Sequence, residues 1–259
     1  MIEGIPCFIE QKEIDEFDSE EKRYNKKIGH KNTGKLKRLN FYIRRTPHEV
    51  LLLKGLKGKV GLEIGVGIGK NRNFEHTYAK VTSNIVAVDV SSTALKRFKR
   101  EFPKCTAILA TRLPYRKECF DFITASGVIH HIIGQSKDLT FFFSEWHRVL
   151  KKGGVFISND PNLLYPTSLL MHIPNRLLQK LKPGARGRVP YERPILYSDV
   201  KKTLSKTKFK NISVAASTFC HYYMPEAIIR YLMKTEAELL TLYPFRFFGH
   251  WITVYAEKR

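Results

Sequence analysis

The stretch Gly61-Leu62-Glu63-Ile64-Gly65-Val66-Gly67-Ile68-Gly69 decides how this chain folds. An apolar strand, Val60 to Ile64, carries an acidic residue near its end and runs into three glycines at alternating positions. Such glycines reach backbone angles closed to other residues and hold no Cβ against a ligand. The turn therefore brings backbone N–H groups to the carboxyl end of a strand, where open α/β sheets bind their ligands. Glycine-rich turns also make ordinary tight connections, and the dinucleotide fingerprint is G-x-G-x-x-G. Here the third glycine comes one residue early. A second apolar strand, Asn84 to Asp89, ends in an acid 20 residues after Gly69. A carboxylate there can accept hydrogen bonds from both hydroxyls of a ribose, although the same position suits the N-terminus of a following helix. Glu63 is placed to meet a positive group. Together the two strand-ending acids predict a nucleoside site.

From this centre the chain alternates. The patterning predicts strand 59–64, helix 70–80, strand 84–89, helix 91–101, strand 105–109, strand 119–125, helix 136–151 and strand 154–159. Continuous apolar strands separated by helices argue for a buried parallel sheet. Ser91 and Ser92 are N-cap candidates for the helix that carries Leu95 and Phe98. Before the first strand, residues 10–55 read as helical, with Ile14, Phe17, Leu36, Leu39 and Ile43 at roughly helical spacing. After 159, Asp160-Pro161-Asn162 and Pro166 break the rhythm ahead of an amphipathic stretch, Leu169 to Leu181, and a basic, turn-rich segment. A helix from Ser198 to Lys206, strand 211–219, a helical insertion at 220–249 and strand 250–257 complete the reading.

Composition bounds the rest. Lys and Arg number 45 against 24 Asp and Glu, a net charge of +21. The balance is lopsided: residues 1–21 carry −7, and from Lys22 to His48 there are ten Lys or Arg and no acid. Such a field suits phosphate-bearing partners, whether nucleic acid, anionic lipid or an acidic metabolite. A lysine-rich solvated surface is the bland alternative. No apolar run approaches the roughly 20 residues of a membrane span, and the acidic N-terminus does not read as a targeting peptide. Four scattered cysteines with no C-x-x-C fit reduced thiols and a cytoplasmic address. The histidines show no metal spacing, so no metal is expected.

Two further segments carry a resemblance. Leu113 to Ile132, LPYRKECFDFITASGVIHHI, and Glu145 to Asn162, EWHRVLKKGGVFISNDPN, follow the glycine turn in the order found in class I S-adenosylmethionine-dependent methyltransferases. The chain resembles that family over about residues 58–160, and within it the ubiquinone-methylase-like, type 11 group. The resemblance implies an α/β, Rossmann-like seven-stranded sheet, mostly parallel with an antiparallel last strand and helices on both faces. It also implies an N-terminal helical cap over residues 1–57 and a cofactor-binding domain over 58–259, with substrate-side insertions at 161–197 and 220–249. S-adenosylmethionine is the expected cofactor, held by Glu63, Gly65, Gly67, Gly69, Asp89, Val90, Ala110, Thr111, Ser126 and Gly127. One departure stands out: the family often places an adenine-binding Asp four residues before the Leu-Pro pair, where this chain has Leu109. The backbone of Ala110 and Thr111, or the Thr111 hydroxyl, would replace it.

Methyl transfer from a sulfonium is an in-line displacement with an excellent leaving group, so the protein mainly supplies positioning and a dry site. His130 and His131 lie just past a strand end, where an imidazole could take a proton from a hydroxyl, phenol or amine; either could equally be a packing residue. Asp121 reads as structural. Tyr165, His172, Tyr191, Arg193, Tyr197, His221 and Tyr222 are substrate-side candidates. Three functions compete: a methyltransferase acting on a small or saccharide/lipid-linked, anionic metabolite; a tRNA methyltransferase gripping RNA with the basic arm; and a non-catalytic subunit with the same fold. The first is preferred, because no recognised RNA-binding module is appended and the arm interleaves few aromatics. The helix over 163–182 could also lie on an anionic membrane surface.

Overall fold

The computed structural model describes residues 1–2, 4–15, 18–19, 52, 54–67, 77–135, 138–170, 193–220 and 224–259. The basic arm, most of the 70–80 helix, the stretch beyond 170, and the site candidates Gly69, His172, Tyr191, His221 and Tyr222 lie outside those residues. Seven strands form one sheet: β1 (Gly61–Ile64), β2 (Ile85–Asp89), β3 (Thr106–Leu109), β4 (Phe120–Thr124), β5 (Leu150–Pro161), β6 (Lys210–Ser217) and β7 (Trp251–Glu257). Their spatial order is β3-β2-β1-β4-β5-β7-β6. All pairs from β3 to β5 are parallel, and β7 runs antiparallel to both β5 and β6. The expected fold class is the one observed.

The period-two alternation of the strands divides the core into two layers. Leu62, Val88, Ile108 and Ile123 face one cluster with Phe143, Trp146, Val200 and Leu204. Those partners come from α3 (Leu139–Val149) and α4 (Tyr197–Ser205). Ile85, Ala87, Leu109, Phe122 and Ile157 face the other, with Leu95 and Phe98 of α1 (Ser92–Glu101). Ser91 caps α1 as expected, accepting from the Ala94 N–H. The N-terminal segment joins the second layer through Ile5 and Ile14 and lies along the edge of β3: the Leu109 N–H donates to the Pro6 carbonyl and the Phe8 N–H to the Leu109 carbonyl.

Two elements differ from expectation. A short helix, α2 (Ile129–Gly134), follows β4 where none was read. Strand β5 begins at Leu150 rather than 154, because Leu150 pairs with Phe120 and a register shift lets the four residues Lys151 to Gly154 pass before Val155 pairs with Phe122. The expected insertion between β6 and β7 contains α5 (Glu226–Thr241). Asp121 is structural: it accepts from the Val60 N–H and from Lys151, tying β4 to the entrance of β1 and to β5. That anchoring fixes where the glycine turn leaves the sheet.

Candidate functional site

The turn after β1 is shaped by two glycines in the left-handed region, Gly65 at φ 70° and Gly67 at φ 61°. At Gly65 a Cβ would also stand 2.3 Å from Val128 Cγ2, so backbone and side-chain space both demand glycine. The Gly65 N–H donates to the Val88 carbonyl at 2.8 Å, binding the turn to β2. The Gly67 N–H donates to Asp89 Oδ2 at 3.0 Å. Asp89 Oδ1 accepts from Val90 at 2.7 Å and Ser91 at 2.9 Å. Burial pushes this carboxyl above its usual range, and the Asp18 charge adds to that, while the three backbone donors oppose it. An ionised carboxylate offers about four acceptor directions; three are filled here, and the remaining one suits a ligand hydroxyl. The two readings of Asp89, ligand acceptor and helix-start carboxylate, are therefore compatible.

Asp18 was not legible from sequence. It accepts from the Ser91 and Ser92 hydroxyls, both at 2.6 Å, and from the Thr93 N–H at 3.2 Å. Burial opposes its ionisation, but these donors outweigh it and hold the carboxyl below the ordinary range. The acidic leader thus folds onto the start of α1, directly beside Asp89. Its eight acids were a visible signal, though not one that named this residue.

Glu63 is buried and faces another way. Its two oxygens accept from the Thr77 hydroxyl and the Tyr78 N–H, tying β1 to the short helical turn at Tyr78–Lys80. It does not line the cavity described next. Hydrogen bonds to a charged group contribute roughly 1.5–3 kcal/mol each. Glu63→Gln keeps the shape but removes the charge and turns one acceptor into a donor. It is expected to cost about 2 kcal/mol, lowering Tm by roughly 4–8 °C; calorimetry showing an unchanged Tm would contradict that role.

A cavity of about 120 Å³ opens between the ends of β1, β2 and β3. Ile64, Val88, Val90, Leu113, Val128, Ile132, Phe142 and Trp146 make its apolar wall, and Asp89, Thr111, His131 and Gln135 supply polar groups. Of the predicted cofactor residues, Gly65, Asp89, Val90, Ala110 and Thr111 meet here; Ser126 and Gly127 sit at the exit of β4, off the cavity wall. Leu109 points into the opposite core layer, and Ala110 spends its N–H on the Asp89 carbonyl at 3.1 Å. Thr111 also lines the cavity. Arg148 steadies the adjoining loop by donating to the Leu113 and Tyr115 carbonyls while paired with Glu145.

The histidines occupy α2 with rings 4.1 Å apart. His131 lines the cavity, and burial together with the neighbouring His130 pushes it down to about 3. His130 turns instead toward β5, its Nδ1 2.9 Å from Asp160 Oδ1. Among the substrate-side candidates, Tyr165 is buried, donates to the Phe219 carbonyl at 3.2 Å and stacks on His250. Burial raises its hydroxyl to about 12. Tyr197 packs on Phe247 with Lys201 over its ring, and Arg193 is exposed. None of these three lines the cavity.

A 3-2-1-4-5-7-6 sheet, a glycine turn after its first strand and a buried acid closing its second make a Rossmann-like frame with its cavity at the strand ends. Residues 62–158 match the model of the methyltransferase domain family. A protein of Mycolicibacterium smegmatis named as a probable S-adenosylmethionine-dependent methyltransferase is 28% identical over 128 residues, 48% of this chain and 46% of the relative. The chain thus spans less than half the length of that relative. An S-adenosylmethionine-dependent methyltransferase from Thermotoga maritima superposes with a TM-score of 0.54 at 18% identity, covering 87% of this chain and 95% of the other. The phosphoethanolamine N-methyltransferase 2 of Haemonchus contortus, crystallised with phosphomonomethylethanolamine and S-adenosylhomocysteine, gives 0.53 at 19% identity, covering 82% and 52%. At these identities the structures share the fold. No helix among the described residues is long and apolar enough to cross a membrane.

Proposed function

We propose that this chain transfers a methyl group from S-adenosylmethionine to an oxygen or nitrogen of a small or saccharide/lipid-linked metabolite that carries negative charge. The observation that carries the reading is the cradle centred on Asp89: a buried carboxylate at the rim of an apolar cavity, held by the glycine turn, with Thr111 also on its wall. That set fits a nucleoside, since the carboxylate has an acceptor direction left for a ribose hydroxyl, the apolar wall takes a purine, and the glycines let the ligand approach the backbone. Gly65, Gly67, Asp89, Val90, Ala110 and Thr111 would hold the adenosine, Ser126 and Gly127 would border the reacting end, and Glu63 braces Thr77 and Tyr78 against β1. When bound, the cofactor supplies an electrophilic methyl carbon: the acceptor's lone pair forms the new bond, the carbon–sulfur pair returns to sulfur, and the acceptor's proton must be taken up.

The net charge of +21 favours an anionic acceptor. On the same fold, the Haemonchus enzyme holds a phosphorylated amine. The type 11 resemblance points to acceptors of the quinone and natural-product kind. The test is transfer of radiolabelled methyl from S-adenosylmethionine into host extract split into RNA, lipid, protein and small-molecule fractions, with Asp89→Ala as control. Label is expected in the small-molecule or lipid fraction. Label in nuclease-sensitive material would replace this reading with RNA methylation through the basic arm. Cofactor binding without any labelled product would favour a non-catalytic subunit.

A further inference from the structure

We propose that Asp160, at the end of β5, is a positioning residue that makes His130 the proton acceptor of the transfer step. The inference rests on the methyl-transfer reading above and chooses between its two histidines. Asp160 is fully buried, and its Oδ1 accepts from the His130 backbone N–H at 3.1 Å and meets Nδ1 at 2.9 Å. An ionised carboxylate only accepts, so Nδ1 must carry the ring hydrogen and Nε2 must carry the lone pair. The other oxygen, Oδ2, is buried without a hydrogen-bond partner among the described residues. A purely structural link to the His130 N–H needs no charge; asparagine or serine would make it without burying an under-satisfied anion. Such a charge becomes favourable when a proton arrives on Nε2, because the contact is then a charge-assisted bond between imidazolium and carboxylate.

Placement separates the histidines. Successive residues of a helix point about 100° apart, so His131 faces the nucleoside cavity while His130 faces the exits of β4 and β5. The His130 ring lies against Gly127, its Cε1 3.9 Å from where a Cβ on that glycine would stand, and its side chain keeps 10% of its surface accessible. That is the side left open to an acceptor when the nucleoside fills the cavity. As the acceptor oxygen or nitrogen bonds to the methyl carbon, its proton passes to His130 Nε2, and Asp160 balances the imidazolium. Among the described residues, the titratable groups facing this ring are Asp160 from β5 and His131 from its own helix.

The test needs two readouts. Histidine-selective ¹⁵N NMR of the full chain with bound S-adenosylhomocysteine reports the tautomer without any acceptor. The expected result is an Nδ1–H, Nε2-lone-pair ring for His130, identified by its loss in His130→Gln; the Nε2–H tautomer would overturn the proposal. Labelled-methyl transfer into the responsive extract fraction supplies the second readout. Asp160→Asn is expected to slow turnover roughly 100-fold, and His130→Gln by 100-fold or more, with cofactor Kd within about twofold of wild type. The double variant should be no slower than His130→Gln alone, since Asp160 acts through that ring. Additive losses would overturn the proposal while leaving methyl transfer intact. A wild-type protein that binds cofactor and labels nothing would overturn the methyl-transfer reading itself, whatever tautomer is seen.

Discussion

Asp89→Ala is expected to weaken S-adenosylmethionine binding by 100-fold or more. The carboxylate receives the N–H groups of Gly67, Val90 and Ser91, so it shapes the glycine turn and the exit of β2 at once. Removing it takes away the ligand's ribose acceptor and loosens the Gly67 turn in the same step. A hydrogen bond to a charged group contributes roughly 1.5–3 kcal/mol, and about 1.4 kcal/mol is tenfold in affinity; one such bond plus the lost turn accounts for the factor. Asp89→Asn should also fail, because its amide can satisfy Val90 and Ser91 with oxygen only by turning an NH₂ toward the Gly67 N–H. Titration calorimetry with S-adenosylmethionine, beside a melting curve to establish folding, checks both variants. A folded Asp89→Ala protein whose Kd stays within threefold of wild type would remove the nucleoside assignment from this acid.

The frame around Asp89 was readable from the sequence. Strand, glycine turn, strand and acid are local features, and the backbone conformations of Gly65 and Gly67 together with the buried end of β2 follow from them. What escaped is long-range. Asp18 reaches Ser91 and Ser92 across 73 and 74 positions, and Pro6 and Phe8 meet Leu109 along the edge of β3; no periodicity announces such pairings. Asp160 reads as a chain breaker before Pro161, and only the sheet brings it to His130, 30 positions earlier. Glu63 was read as a strand-end acid facing a positive group, but its partners Thr77 and Tyr78 lie beyond the turn, where no spacing announces them. Helix α2 was missed because VIHHII continues the apolar character of β4 and is too short to show a helical stripe. The early start of β5 was missed because Lys151 and Lys152 look like the polar end of the preceding helix.

His131 makes the pH dependence of stability a direct test of the helix α2 environment. Its folded value, near 3, lies well below the ordinary 6.5, because burial disfavours the imidazolium and His130 would repel it. The unfolded chain takes up a proton as pH falls through about 6.5, whereas the folded chain does not. Stability is therefore fully present above that pH and is lost progressively on acidification toward 3. Each pH unit in this window is worth about 1.4 kcal/mol. Between pH 6.5 and 5 the contribution reaches about 2 kcal/mol, a fall in Tm of roughly 4–8 °C. His147, also held down by burial and by nearby lysines, acts in the same direction; Asp121 and Glu145, whose carboxyls are lowered, act only below the ordinary carboxylate range. These contributions are common to wild type and His131→Gln, so the difference between their unfolding curves isolates His131. Urea unfolding of both proteins at pH 7.5, 6.5 and 5.0 should show the wild type losing about 2 kcal/mol more than the variant across the last interval. Parallel losses would mean that His131 takes up its proton inside the folded chain, with water or a neighbour reaching the ring where the cavity wall encloses it.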